Sequence, residues 1–204
     1  MKIELDQITK TYGAQTVFKD ISAVFETTKR YPIIGQNGSG KSTLLQVISG
    51  FVTPNKGSIR YKDHAGIELP IEAWYKHQSI AAPYLDLFEE LSVSETVFVH
   101  GKLKPLALDQ NALLADIALD KHAEKPLSKL SSGMRQRLKL ALAIYSETEI
   151  LLLDEPTSNL DKKWVDWFQD RTIKNSKDRI VIVCTNSQEA ELAITDQPAL
   201  ELKN

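Results

Sequence analysis

The spacing of apolar residues changes several times along the chain, and each change predicts a different element. Residues 2–10 alternate, with Ile3, Leu5, Gln7 and Thr9 on one side and Lys2, Glu4, Asp6 and Ile8 on the other. Val17–Phe25 is a second run of this kind, and a period of two predicts strands. Tyr12-Gly13-Ala14 reads as the turn between them. Arg30–Ile34 is short and apolar, as a buried strand would be, although Pro32 removes a ladder donor. Gly57–Lys62 and Ile67–Leu69 predict a hairpin closed through Asp63-His64-Ala65-Gly66.

The middle of the chain switches to helical spacing. Ser92-Val93-Ser94-Glu95 has capping-box spacing ahead of Val97, Phe98 and Val99. Asp109–Leu119 carries Leu113, Leu114, Ile117 and Ala118 on one side, and a richer helix is predicted over Gly133–Tyr145. Continuous apolar runs then return at Ile150–Leu153 and Ile180–Cys184, as expected of strands covered on both faces. An amphipathic helix over Asp161–Lys174 separates them. A short helix around Ser187–Ala193 and a last strand at Ala199–Leu202 complete the pattern. Strand–helix alternation predicts an α/β fold with a mostly parallel sheet. No linker or repeat divides it, so one domain is expected over 1–204, with an inserted helical lobe over about 84–146.

Composition narrows the function classes. The chain has 204 residues, 42% hydrophobic and 25% charged, enough for a sizeable core. A net charge of −2 gives no basic field for a nucleic-acid partner. The lone cysteine, Cys184, cannot pair internally and reads as a buried inert thiol. The N-terminus alternates without an apolar h-region, so no signal peptide is expected. No run approaches the roughly 20 apolar residues needed to cross a bilayer.

Chemistry concentrates first in Gly35-Gln36-Asn37-Gly38-Ser39-Gly40-Lys41-Ser42-Thr43, between a predicted strand and a predicted helix. Glycines without Cβ let backbone N–H groups turn inward on an anion, and the helix start adds its positive dipole end. Lys41 supplies a point charge for the β- and γ-phosphates, and the Ser42 hydroxyl suits Mg²⁺. Gly35, Asn37, Gly38, Ser39, Gly40, Lys41, Ser42 and Thr43 are therefore the expected ligands of a nucleoside triphosphate. The second concentration is Asp154-Glu155, two carboxylates ending a buried strand. Read alone, they are equally two solvated acids. Beside a phosphate loop, Asp154 suits a metal ligand and Glu155 a base for the attacking water. The third is Leu130-Ser131-Ser132-Gly133-Met134 before the long helix, where Ser131 is an N-cap candidate. Arg135 and Arg137 read as a solvated face of that helix.

With these three segments in this order, the chain resembles the ATP-binding domain of ABC transporters over essentially its whole length. The resemblance implies a P-loop NTPase fold of ABC type, with a mostly parallel sheet core, an N-terminal antiparallel β subdomain and the helical insertion. It makes Leu130–Met134 the signature motif, Ile150–Glu155 the Walker B strand and Pro156–Asp161 the loop at a dimer seam. Tyr12 matches the aromatic residue that stacks on adenine. It further implies ATP and Mg²⁺, a second copy closing head to tail, and a separate integral membrane subunit on whose cytoplasmic face the chain sits. Ser131 and Gly133 would then meet the partner's nucleotide. Small bacterial exporter subunits, including the haem exporter ATPase, have a similar length and layout.

Two family residues are missing. Asn186 stands where a His normally contacts the γ-phosphate; an amide donates a hydrogen bond but carries no charge. The usual Gln before the Leu-Ser-Val-Ser-Glu segment falls at Pro83 or Tyr84, and Gln78 is several residues early. The signature also has Ser132 for Gly and Met134 for Gln. Catalytic expectation rests on Glu155, Lys41 and Asn186. The alternatives are a nucleotide-gated dimerising module that hardly hydrolyses, and an ABC ATPase outside transport.

Overall fold

The computed structural model describes residues 1–202. Two long strands, β1 (Lys2–Tyr12) and β2 (Gln15–Glu26), form an antiparallel hairpin around Gly13. β1 therefore runs through Tyr12, and the turn is shorter than the sequence predicted. The predicted alternation also breaks. Ile3 and Leu5 are buried, Asp6 and Gln7 are exposed, and Ile8 and Thr9 are both buried. Gln7 sits at φ 47° where the register with β4 (Lys56–Lys62) slips, which is a bulge. Gly57 opposes it so closely that a Cβ would lie 2.4 Å from the Asp6 carbonyl. With β5 (Glu68–Leu69) pairing on β4, this antiparallel sheet has the order β2-β1-β4-β5.

The second sheet joins β3 (Arg30–Ile34), β6 (Gln78–Ala81), β7 (Ile150–Asp154), β8 (Ile180–Thr185) and β9 (Leu200–Glu201) in the order β6-β7-β8-β3-β9, all parallel. Pro32 is tolerated in β3 for a geometric reason. Arg30 N–H donates to Asp196, so that side of β3 faces β9, and β9 begins only opposite Ile33. The donor that Pro32 lacks faces the side where no strand runs beside it.

β6 had no apolar signature. Its Gln78 and Ser79 are buried because each finds partners: Gln78 Nε2 donates to Ser49 O at 2.7 Å and Ser79 Oγ donates to Ala143 O at 2.7 Å. α1 (Lys41–Ile48) follows β3, and the short α2 (Trp74–His77) stacks Trp74 on Tyr61 at 3.9 Å before β6. α3 (Val93–Leu103) begins with the predicted capping box, Ser92 and Glu95 bonding each other's backbone N–H. α4 (Gln110–Asp116) is shorter than predicted, capped by Asp109. α5 (Ser132–Tyr145), α6 (Lys162–Lys174) and α7 (Glu189–Leu192) complete the set; Ser131 and Asp161 are N-caps.

Three apolar clusters follow from this layering. One lies between the antiparallel sheet, α1 and one face of the parallel sheet. A second fills the opposite face under α5 and α6, and the third packs α3, α4 and α5 together. Among the described residues no helix is long and apolar enough to cross a membrane.

Candidate nucleotide-binding site

The turn between β3 and α1 is built as its glycines require. Gly38 and Gly40 have φ of 83° and 93°, which favours glycine. A Cβ on Gly35 would meet Ser39 Oγ at 2.4 Å. Lys41 is 5% exposed and folds back across the loop, its Nζ donating to Gly35 O at 2.8 Å and Gln36 O at 3.1 Å. Ser39 Oγ is buried without a partner. The loop thus holds a buried ammonium and an unpaired hydroxyl in a curl of backbone N–H groups at the positive end of α1.

Parallel pairing brings the other parts to the same sheet edge. Asp154 ends β7 opposite Cys184 of β8. It is 1% exposed, and neither carboxylate oxygen has a hydrogen-bond partner among the described residues. Burial pushes its carboxyl up from the usual range, with the charges of Glu155 and Glu191 adding to the effect. The Ser42 hydroxyl and Lys41 pull it back; Ser42 is close enough to act on the charge without meeting hydrogen-bond geometry. An unpaired buried carboxylate beside a hydroxyl is an oxygen donor set that fits Mg²⁺, which is commonly held by one or two protein oxygens plus phosphates and waters. Burial pushes the Cys184 thiol well up, consistent with an inert group.

Glu155 adopts φ 44°, unusual for a non-glycine residue, and its N–H donates to Cys184 O at 3.0 Å. It lines a cleft of about 790 Å³ together with Tyr12, Asn37, Gly38, Gly40, Lys41, Ser42 and Thr43. Of the predicted residues these eight share one space. Gly35, Ser39 and Asn186 line an adjoining cavity of about 500 Å³. Tyr12 is half exposed, with Lys10 Nζ 4.8 Å from its ring centre.

Ser131 and Gly133 do not line the cleft that holds Lys41. Ser131 Oγ caps α5 by accepting from Met134 N–H at 3.2 Å, which leaves first-turn N–H groups of α5 without helical partners. Gly133 has an added constraint: a Cβ there would lie 2.9 Å from Asn159 O. One sequence expectation needs correction nearby. Arg137 is not a solvated residue; it donates to Ile117 O at 2.7 Å and lies 4.0 Å over the Trp164 ring. Gln78 cannot stand in for the missing Gln, because it pairs opposite Ile150 at the far end of β6, bonded to Tyr61 and Ser49. By register the strand's exit, Ala82–Tyr84, lies beside Asp154.

Sequence reasoning passed over Gln136 and Glu191. Gln136 Nε2 donates to Pro156 O at 2.9 Å, and Glu191 accepts from Thr157 N–H at 3.0 Å. Both hold the segment after Glu155. Their polar side chains sit on helices with no recognisable motif, so only tertiary contact reveals them.

Known proteins place this arrangement. A family model described as ABC transporter matches residues 18–158. The uncharacterized ABC transporter ATP-binding protein YybJ of Bacillus subtilis is 32% identical over 207 residues, covering 99% of this chain and 93% of its own. A spermidine/putrescine import ATP-binding protein, PotA of Thermotoga maritima, is 31% identical over 209 residues, or 98% of this chain and 55% of its own. The chain spans about half the length of such polyamine-import relatives. Among solved structures, a dimeric bacterial ABC transporter cassette superposes with TM-score 0.79 at 22% identity, over 99% of this chain and 97% of that one. A putative ABC transporter ATP-binding protein from Pyrococcus furiosus gives 0.76 at 24%, over 92% of each. These structures share the fold, and the sequence matches settle the family: the chain belongs to the ATP-binding subunits of ABC transporters.

Proposed function

We propose that this ABC ATPase binds ATP with Mg²⁺ at the Lys41 cleft and hydrolyses it where a second copy closes head to tail. The carrying observation is Asp154, a buried carboxylate beside Ser42 with both oxygens unpartnered among the described residues. Tyr12 stacks on the base. The backbone of Gly35–Thr43 and the Lys41 ammonium hold the phosphates. Ser42 and Asp154 hold Mg²⁺, which when bound neutralises charge on the β- and γ-oxygens. Glu155 orients the attacking water and takes its proton, and Asn186 donates a hydrogen bond toward the γ-phosphate. Ser131 and the Gly133 N–H complete the site of the opposite copy.

The proposed domain is a single cassette over residues 1–204, with the helices of about 84–146 as its inserted lobe. It drives a separate integral membrane subunit from the cytoplasmic face. We read it as a small exporter-type subunit; the named relatives do not single out haem as cargo. Asn186 for His and the missing Gln favour slow hydrolysis, whose limit is a nucleotide-gated dimer that hardly turns over.

Glu155→Gln tests the assignment. Turnover should fall at least about a hundredfold, the usual worth of a general base, while ATP stabilises a dimer visible by light scattering. Wild-type turnover in the variant would remove Glu155 from that role.

A further inference from the structure

Glu191 is fully buried on α7 and takes no part in the chemistry described above. Its Oε1 accepts two bonds from one residue, the Thr157 N–H at 3.0 Å and the Thr157 hydroxyl at 2.6 Å, while Oε2 is buried without a partner. Thr157 Oγ1 also lies 2.8 Å from the Gln188 side-chain amide oxygen, and Gln188 N–H donates to Thr185 Oγ1 at 3.2 Å. Thr157 lies two residues after Glu155, and Thr185 immediately precedes Asn186. One buried carboxylate thus joins the two loops that leave β7 and β8.

Those loops need holding. Glu155, Asn159 and Ser187 have φ of 44°, 63° and 77°, left-handed conformations that are strained for a non-glycine residue. Such geometry persists only where neighbours over-determine it. Burying an ionisable group with an unpaired oxygen is also costly, so Glu191 is a poor choice for packing alone. Gln136, donating to Pro156 O, grips the same loop from α5.

We propose that Glu191 is a positioning residue for hydrolysis: by clamping Thr157 it fixes the Glu155 loop relative to the Asn186 loop. The two groups then meet the γ-phosphate as one rigid unit. This rests on the roles of Glu155 and Asn186 proposed above.

The test compares Thr157→Val, which keeps the shape but loses the hydroxyl, with Thr157→Ser, which keeps it, and Glu191→Ala with Glu191→Gln. Thr157→Val and Glu191→Ala should lower kcat about tenfold or more, with ATP affinity and KM within about twofold of wild type. Thr157→Ser and Glu191→Gln, which can still make both bonds, should recover most of that loss. Hydrogen exchange should quicken in both 155–161 and 185–188 in Thr157→Val, with 41–48 unchanged. Unchanged kcat and exchange in Thr157→Val would overturn the proposal, as would a loss of kcat matched by lost ATP affinity or a lowered melting temperature in 41–48-containing core. If Glu191→Ala does not fold, Thr157→Val alone decides. If wild type itself shows no turnover, the hydrolysis reading fails, and exchange still judges the clamp: loosening of both loops supports it, and loosening of one or neither overturns it.

Discussion

Two aspartates withdrawn from solvent, the partly buried Asp116 in the helical region and the buried Asp154 at the edge of the parallel sheet, have opposite surroundings. Asp116 accepts from Arg171 Nε at 3.0 Å, from Tyr145 Oη at 2.6 Å and from Trp167 Nε1 at 2.7 Å. Burial alone would raise its carboxyl, but the Arg171, Tyr145 and Trp167 hydrogen bonds prevail and hold it below the usual range. Asp154 has no hydrogen-bond partner among the described residues, and burial raises it. The fold can satisfy a partly buried carboxylate with several donors, tying α4 to α5 and α6 through four side chains. Leaving Asp154 unsatisfied marks it as a group whose partner arrives from outside the chain.

Removing the charge at each position should separate structure from function. Asp116→Asn leaves the partly buried Arg171 with Asp170 alone as its anion and should cost about 1–2 kcal/mol, lowering the melting temperature by roughly 3–6 °C. A melting temperature within a degree or so of wild type would mean that the Asp116 network is surplus to the fold.

A comparable effect comes through pH. His100 on α3 is bonded to Ser146 at 2.8 Å, and burial, then Lys104, hold its imidazole down to about 4. The folded ring binds a proton less well than the unfolded one. Stability is therefore full above about pH 6.5 and falls as pH drops toward 4, by roughly 2 kcal/mol. Asp116 acts lower: its depressed carboxyl contributes stability above the unfolded value, lost as pH falls through the folded one. Asp154 has the reverse sign, because a raised carboxyl relieves its burial cost as it protonates. Denaturation midpoints of wild type and His100→Asn between pH 7 and 4 check this: the wild-type decline should flatten in the variant. An equal decline in both would remove His100 as its source.

How legible these features were depended on whether the signal was local. The Gly35–Thr43 turn, the Asp154-Glu155 strand end, the Ser92–Glu95 box and the Ser131 cap each declare themselves within a few residues, and all stand where their spacing indicated. β6 was hidden because Gln78 and Ser79 are buried through hydrogen bonds rather than through apolar character. The phase change in β1 was hidden because the bulge at Gln7 is matched by Gly57, fifty residues on. Arg137 looked like a surface charge and Glu191 drew no reading at all, since nothing local shows that Ile117 and Trp164, or Thr157, lie against them. Local turns, caps and strand ends could be named in advance; the contacts that hold the loops after β7 and β8 in place could not.

The most direct measurement is the melting temperature of wild type and Asp154→Asn, each alone, with ATP and EDTA, and with ATP and Mg²⁺. The account predicts that the variant alone is as stable as wild type or more so, because an unpaired buried charge has been removed. It should also lose the extra stabilisation that Mg²⁺ adds to ATP in wild type. A variant less stable on its own that kept the full Mg²⁺ increment would make Asp154 a structural residue and contradict the account.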